Sequence, residues 1–167
     1  DSTQLGLYAF LFQLCSALGE KEQALKYGKI WVEGMKASGG LWVEYMHRVG
    51  GYYWMLGHQE EAEYYFNLAL EINIKINNRA NIVVCYNNLA ETARQGKNYK
   101  EAEVTAKTAL KSAEESNNLE EKKISLNILS MIAEDQGNFE KSLSYYKSYV
   151  ELSDSLTKSV YNISVEK

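Results

Sequence analysis

The chain of 167 residues is 46% apolar and 24% charged, which suits a folded protein with enough apolar material for a core, and its net charge of −4 lacks the basic footprint of a nucleic-acid binder. Its apolar runs are shorter than the 18 or so residues that a bilayer-spanning helix needs, and a start with Asp1 and Gln4 has no basic n-region of a signal peptide. Proline is absent where average usage gives about eight, which predicts an all-helical chain, since a helix interior tolerates proline least.

Taken in chain order, four units each read as two amphipathic helices around a short break. In the first, Tyr8, Leu11, Phe12 and Cys15 fall at helical spacing, and Ala24, Gly28 and Trp31 follow the break. The second carries Met46, Val49, Gly50 and Tyr53, then Ala62, Phe66, Ala69 and Leu70. A third repeats the pattern with Tyr86, Leu89, Ala90 and Ala93, then Ala102, Ala106, Ala109 and Leu110. The fourth has Leu126, Leu129, Ser130 and Ala133, then Ser142, Tyr146, Tyr149 and Val150, and Leu152, Leu156, Val160 and Ile163 carry an apolar stripe onward.

The breaks themselves recur as a phrase. Gly19 through Ala24, Gly57 through Ala62, Lys97 through Ala102 and Gly137 through Ser142 each place a small residue five positions after a Gly or Lys. The small residues at 24, 62, 102 and 142 lie 38, 40 and 40 positions apart, the regularity of an array of like units. Repeats are expected over about 3–38, 41–77, 81–117 and 120–153, with a C-terminal capping or connecting helix over 154–167. Gly50, Ala90 and Ser130 on the first helices, with Ala62, Ala102 and Ser142 on the second, are expected to let paired helices approach closely. Tyr53, Phe66, Tyr99, Phe139 and Tyr146 are expected to fill the space around them. Phe12 stands where the other units carry Gly, Ala or Ser, an irregularity expected of a terminal unit.

Chemistry finds little footing. Cys15 and Cys85, both at apolar-periodic positions, predict buried free thiols and no disulfide framework or zinc site. His47 and His58 are the only histidines, and neither is spaced with a nucleophile. Gly39-Gly40 and Gly50-Gly51 lack the strand and spacing of a phosphate loop. No cofactor, metal or catalytic residue is expected.

Gly50, Tyr53, Gly57, Ala62, Phe66 and Ala69 of unit two, with Tyr86-Asn87-Asn88-Leu89-Ala90 and Gly137-Asn138-Phe139 of the next two, resemble the tetratricopeptide repeat. The likeness extends over nearly the whole chain. It departs from the family in two ways. The usual period is about 34 residues, and the usual proline between repeats is replaced here by Ser38-Gly39-Gly40, Ile76-Asn77-Asn78 and Ser116-Asn117-Asn118, whose Gly and Asn tolerate the left-handed conformation that ends helices. The resemblance implies an all-α, right-handed superhelical α-solenoid whose first helices line a concave groove. Facing it would be Phe10 and Gln13; His47, Arg48, Gly51 and Trp54; Asn87, Asn88, Glu91 and Arg94; and Asn127, Ile128, Met131 and Asp135. A carboxamide offers donor and acceptor together, so Asn87, Asn88 and Asn127 are the candidates to clamp a peptide main chain. Arg48 and Arg94 are the candidates for a carboxylate. The lysine and arginine clamp of chaperone-binding members is missing, for Ala9, Gln13, Val84 and Ile128 stand in its places.

The fourth unit, with Leu152-Ser153-Asp154-Ser155-Leu156, also resembles the last repeat of large bacterial signalling proteins, especially from Bacteroidetes, in which such repeats precede a histidine kinase or a regulator. The stripe running toward Lys167 and a first helix starting near Leu5 predict a piece of a longer protein. The resemblance implies a non-catalytic domain that binds a protein or an extended peptide segment, as the sensor or input part of a signalling protein. A periplasmic domain of a membrane-anchored protein is favoured, with a cytoplasmic one as the alternative. A constitutive interaction scaffold and a peptide-pheromone receptor domain are the other two readings.

Overall fold

The computed structural model describes residues 2–37 and 43–165, which form helices joined by tight turns, with no strand among the described residues. Helices α1 (Ser2–Ala17), α2 (Lys21–Ala37), α3 (Val43–Met55) and α4 (Gln59–Lys75) belong to one compact unit, Asp1–Asn77. Helices α5 (Arg79–Gln95), α6 (Tyr99–Glu115), α7 (Leu119–Asp135) and α8 (Phe139–Val165) belong to a second, Asn78–Lys167. The chain is therefore all-α, as its composition predicts. No described helix is long and apolar enough to cross a membrane.

The recurring phrase has a hydrogen-bond meaning. After the last turn of each first helix the chain enters the left-handed region, at Gly19 (φ 75°), Gly57 (φ 79°), Lys97 (φ 60°) and Gly137 (φ 74°). The next residue donates its N–H back five positions, from Glu20 to Cys15 (2.9 Å), His58 to Tyr53 (2.9 Å), Asn98 to Ala93 (2.9 Å) and Asn138 to Ala133 (2.8 Å), the reversal that satisfies terminal carbonyls. The carbonyl of that same residue then accepts from Ala24, Ala62, Ala102 or Ser142 (2.9–3.1 Å), closing the first turn of the second helix. One residue thus ends one helix and starts the next.

Asparagine serves the other joints. Asn77 and Asn117 adopt φ of 53° and 51°, and the side chains of Asn78 and Asn118 accept from Asn81 N (3.3 Å) and Glu121 N (3.2 Å) as N-caps. The corresponding Ser38-Gly39-Gly40 joint lies outside the described residues. Lys97 alone among the four phrases puts a Cβ into the left-handed region. Lys97→Gly is therefore expected to stabilise the protein by about 0.5–1 kcal/mol, the left-handed strain relieved less the entropy glycine loses on folding. Thermal unfolding followed by circular dichroism checks it, with Tm expected to rise by about 1–3 °C.

Within the second unit the core is built on alanine. Ala102 and Ala106 of α6 lie fully buried with Ala90 of α5 and with Ile128, Leu129 and Ile132 of α7. Ala109 and Ala113 bury against Val83 of α5. Short side chains let α6 approach both neighbours, and the bulk is supplied from α7. In the fourth repeat the small residues meet as hydroxyls, Ser130 Oγ donating to the Ser142 carbonyl at 3.0 Å. In the first unit the fit is made by exchange. A Cβ on Gly50 of α3 would lie 2.8 Å from the Phe66 ring of α4, and a Cβ on Gly28 of α2 would lie 2.7 Å from the Phe12 ring of α1. The first repeat thus carries large on small where the second carries small on large, which is why Phe12 is accommodated.

Two expected core aromatics are not in the core. Phe139 is 71% exposed and Tyr146 is 49% exposed. Their counterparts one period earlier, Tyr99 and Ala106, are covered by α7, whereas no described helix follows α8. Helix α8 itself is continuous from Phe139 to Val165; the side chains of Val160 and Ile163 lie outside the described residues.

Candidate functional site

Helices α5 and α7, the first helices of the third and fourth repeats, are joined side by side through two polar ties. The first is Asn87, only 3% exposed. Its Nδ2 donates to the Glu121 carbonyl (3.3 Å) and to Glu121 Oε2 (2.8 Å), and its Oδ1 accepts from Ser125 Oγ (2.7 Å). Every hydrogen-bonding atom of this carboxamide is engaged by α7. Asn87, expected to clamp a ligand, is instead a strut between repeats.

The second tie is Arg94, two turns further along α5. Its Nε and Nη2 donate to the two carboxylate oxygens of Glu91 (2.8 and 2.7 Å), and its Nη1 donates to Asp135 Oδ2 on α7 (2.7 Å). These bonds, Glu91 foremost, push the guanidinium pKa up, so the cation is fixed at any working pH. Arg94 was expected to take a ligand's carboxylate; it already holds two from its own chain. Glu91 and Asp135, expected as groove residues, are brought to it and are committed to the same cluster.

Between the ties the remaining expected residues divide. Asn88 on α5 and Asn127 on α7 are half-buried, placed for partial access from solvent. Met131 packs its side chain against the core of the unit. Ile128 is in that core, only 5% exposed and clustered with Ala102 and Ala106, because it lies on the α7 face that meets α6.

In the first unit the candidates are dispersed over α1 and α3. Gln13 is exposed. Arg48 is exposed with its Cζ 5.4 Å from the centre of the Phe12 ring, a cation–π contact. His47 sits against the Phe66 ring at 6.3 Å, and burial holds its pKa below the ordinary value, so it is neutral at pH 7. Trp54 is half-buried, and its indole N–H is buried with no acceptor among the described residues. Among the described residues no group of three or more His, Cys, Asp or Glu side chains could hold a metal ion.

Glu121 and Ser125 are the α7 residues bonded to Asn87 that the repeat pattern misses. Both sit on the α7 side facing α5, Glu121 at 34 and Ser125 at 38 residues from Asn87. The period of 40 is the only signal that relates them, since a partner about one period away is a neighbour on the next first helix.

Comparison with known proteins bears on the fold. Tetratricopeptide repeat family models match residues 83–120 and 125–155, stretches that hold α6, most of α5 and α7 and the first part of α8, and support a tetratricopeptide-repeat protein. The sequence matches no curated protein. Among solved structures, BtubC (BKLC) from P. vanneervenii is similar with a TM-score of 0.80 at 18% identity, over 92% of this chain and 64% of that one. NprR in complex with its cognate peptide NprX has a TM-score of 0.73 at 20% identity, over 89% of this chain and 44% of that one. A Rap protein complexed with Competence and Sporulation Factor has a TM-score of 0.76 at 20% identity, over 95% of this chain and 45% of that one. The chain thus spans about half to two thirds of the length of these relatives in fold.

Proposed function

We propose that the chain is a non-catalytic module that binds an extended peptide or protein segment along its first helices, with Asn88 and Asn127 clamping the ligand's main chain. The observation that carries this reading is the α5–α7 pair. Two internal ties hold the helices, one through the buried Asn87 and one through a single Arg94–Asp135 bond, with Arg94 itself braced by Glu91 of its own helix, and the two half-buried carboxamides lie between them on neighbouring helices. A pre-set spacing of main-chain clamps lowers the ordering cost of binding. The peptide held by NprR, a protein of similar fold, adds support. Arg48, exposed over Phe12, is the donor left for a ligand carboxylate.

The finer role is that of an input domain in a bacterial signal-transduction protein, a two-component sensor kinase or a regulator. A ligand drives such a domain only by favouring one of its conformations, and the α5–α7 ties are the contacts that a shift between repeats would have to break. A peptide-receptor domain of a cytoplasmic regulator is the second reading, favoured by the likeness to NprR with its cognate peptide.

Selection of linear peptides from a random displayed library, followed by fluorescence polarisation, tests the site. Asn88→Ala and Asn127→Ala are each expected to weaken binding about tenfold, the loss of one or two hydrogen bonds. Because a main-chain clamp ignores side chains, the loss should be similar for unrelated peptide sequences. Unchanged affinity in both variants, with helicity intact, would sink the assignment.

A further inference from the structure

The carboxamide of Asn127 stands between two apolar side chains. Ile124, Asn127 and Met131 recur at i, i+3 and i+7, one helical stripe of α7. Ile124 is 41% exposed, and Met131 is half-buried, packed against the core cluster. The stripe borders α5. Asp135, eleven residues after Ile124 and so within about 20° of it around the helix, accepts from Arg94 of α5 at 2.7 Å. Ser130, which bonds to Ser142 of α8, lies on another side of α7. Ile124 is therefore exposed on a side of α7 that has a packed neighbour along its edge. One period earlier Val84 holds the same register on α5 and is half-buried.

Charge at the end of the stripe has one sign. Helix α7 carries four carboxylates, Glu120, Glu121, Glu134 and Asp135, and two lysines. Both lysines are engaged, Lys122 by Glu114 (2.9 Å) and Lys123 by Glu120 (2.6 Å). Glu134, three residues past Met131, is exposed and pairs with no cation among the described residues. It stands in the last turn of α7, which holds no basic side chain, so the negative end of the helix dipole adds to its charge. A cation is attracted there and a carboxylate repelled.

We propose that Ile124, Met131 and Glu134 set the sequence preference of the bound segment: an apolar side chain seated on Ile124 and Met131, and a lysine or arginine two residues on, paired with Glu134. This assignment rests on the peptide-binding reading above and names the class of ligand within it. The spacing follows from geometry. Side chains two apart in an extended chain point the same way and lie about 6.6 Å apart, and Glu134 is about 4.5 Å along the helix axis from Met131. Asn127 holds the main chain from which both side chains project.

Panning a random displayed library of linear peptides against the chain tests the proposal. The recovered peptides are expected to share an apolar residue followed at the second position by Lys or Arg, and one of them, labelled with fluorescein, is the probe for fluorescence polarisation. Ile124→Ser is expected to weaken the probe about tenfold. A probe whose apolar residue is changed to Ser should bind the parent equally weakly, with little further loss on Ile124→Ser. Glu134→Lys is expected to weaken the original probe about fivefold, and less at high salt, and a probe with Glu in place of its basic residue should recover that loss. Ile124→Ala and Glu134→Gln are the second variants, should either first one lose its helical circular dichroism. Peptides without the shared pattern overturn the preference. So does a probe weakened by Asn127→Ala yet indifferent to Ile124→Ser and Glu134→Lys, a result that leaves the main-chain clamp standing. A library that yields no binder, or a probe indifferent to both Asn88→Ala and Asn127→Ala, removes the clamp and this preference with it.

Discussion

Leu129→Ala is expected to destabilise the protein by about 3 kcal/mol, within the 2–5 kcal/mol range for emptying a buried leucine site. Leu129 is 1% exposed and is the largest side chain of α7 set wholly into the alanine-lined cluster. The cost belongs in the middle of that range or above because of what surrounds it. Ala90, Ala102 and Ala106 have no rotamers with which to fill the space, and relief would require α5 or α6 to move as a body. Urea unfolding measures the loss as a fall in midpoint at unchanged slope. Val104→Ala, on the exposed face of α6, is the control and is expected to stay within about 0.5 kcal/mol of the parent. Equal midpoints for the two variants would remove Leu129 from the core.

Asn87→Ala is expected to cost about 2 kcal/mol, since it deletes a buried group whose bonds run to α7, one of them to a side-chain carboxyl group. Ser125 is not orphaned by the change, because its hydroxyl lies 2.9 Å from the Glu121 carbonyl and can turn to it. Ser125→Ala should therefore cost less, about 1 kcal/mol. In the double variant the losses are expected to fall short of additive by about 0.5–1 kcal/mol, the coupling of groups in one network. Strict additivity would mean that Asn87 and Ser125 do not share a hydrogen bond. Peptide affinity provides an independent reading, because a strut holds the spacing of Asn88 and Asn127, whereas a ligand contact would be lost outright. Asn87→Ala should weaken binding less than Asn88→Ala does.

The helical hairpins were legible because their signals are local. A left-handed Gly followed five residues later by a small residue encodes both a helix stop and the next helix's first turn, and Ala102, Ala106 and Ala109 announce a close approach by their size. What lay beyond local reading was partnership across repeats. Asn87 looks like its neighbour Asn88 in sequence, and only Glu121 and Ser125, more than thirty residues on, turn it inward. Arg94 has Glu91 within one helical turn, a visible pair, but Asp135 comes from the next first helix. Ile128 reads as a groove residue on α7 alone, and only the α6 surface it meets turns it into core. Phe139 and Tyr146 read as core because apolar periodicity reports which face is meant to be covered and is silent on whether a partner is present. The exchange of Phe12 and Gly28 for Gly50 and Phe66 was visible residue by residue, yet its sense appears only when both helices of each repeat are laid together.

The joint residues Glu20, His58, Asn98 and Asn138 each finish one helix and begin the next, and this restricts how such a chain can change length. With no spare residue in the turn, inserting or deleting one would rotate the following helix by about 100° and swing its buried alanines away from their neighbours. Gains or losses of single residues at these turns are therefore strongly disfavoured. A whole forty-residue block preserves every turn and every facing surface, so duplication or loss of entire repeats is the path by which a lineage of this design can lengthen or shorten.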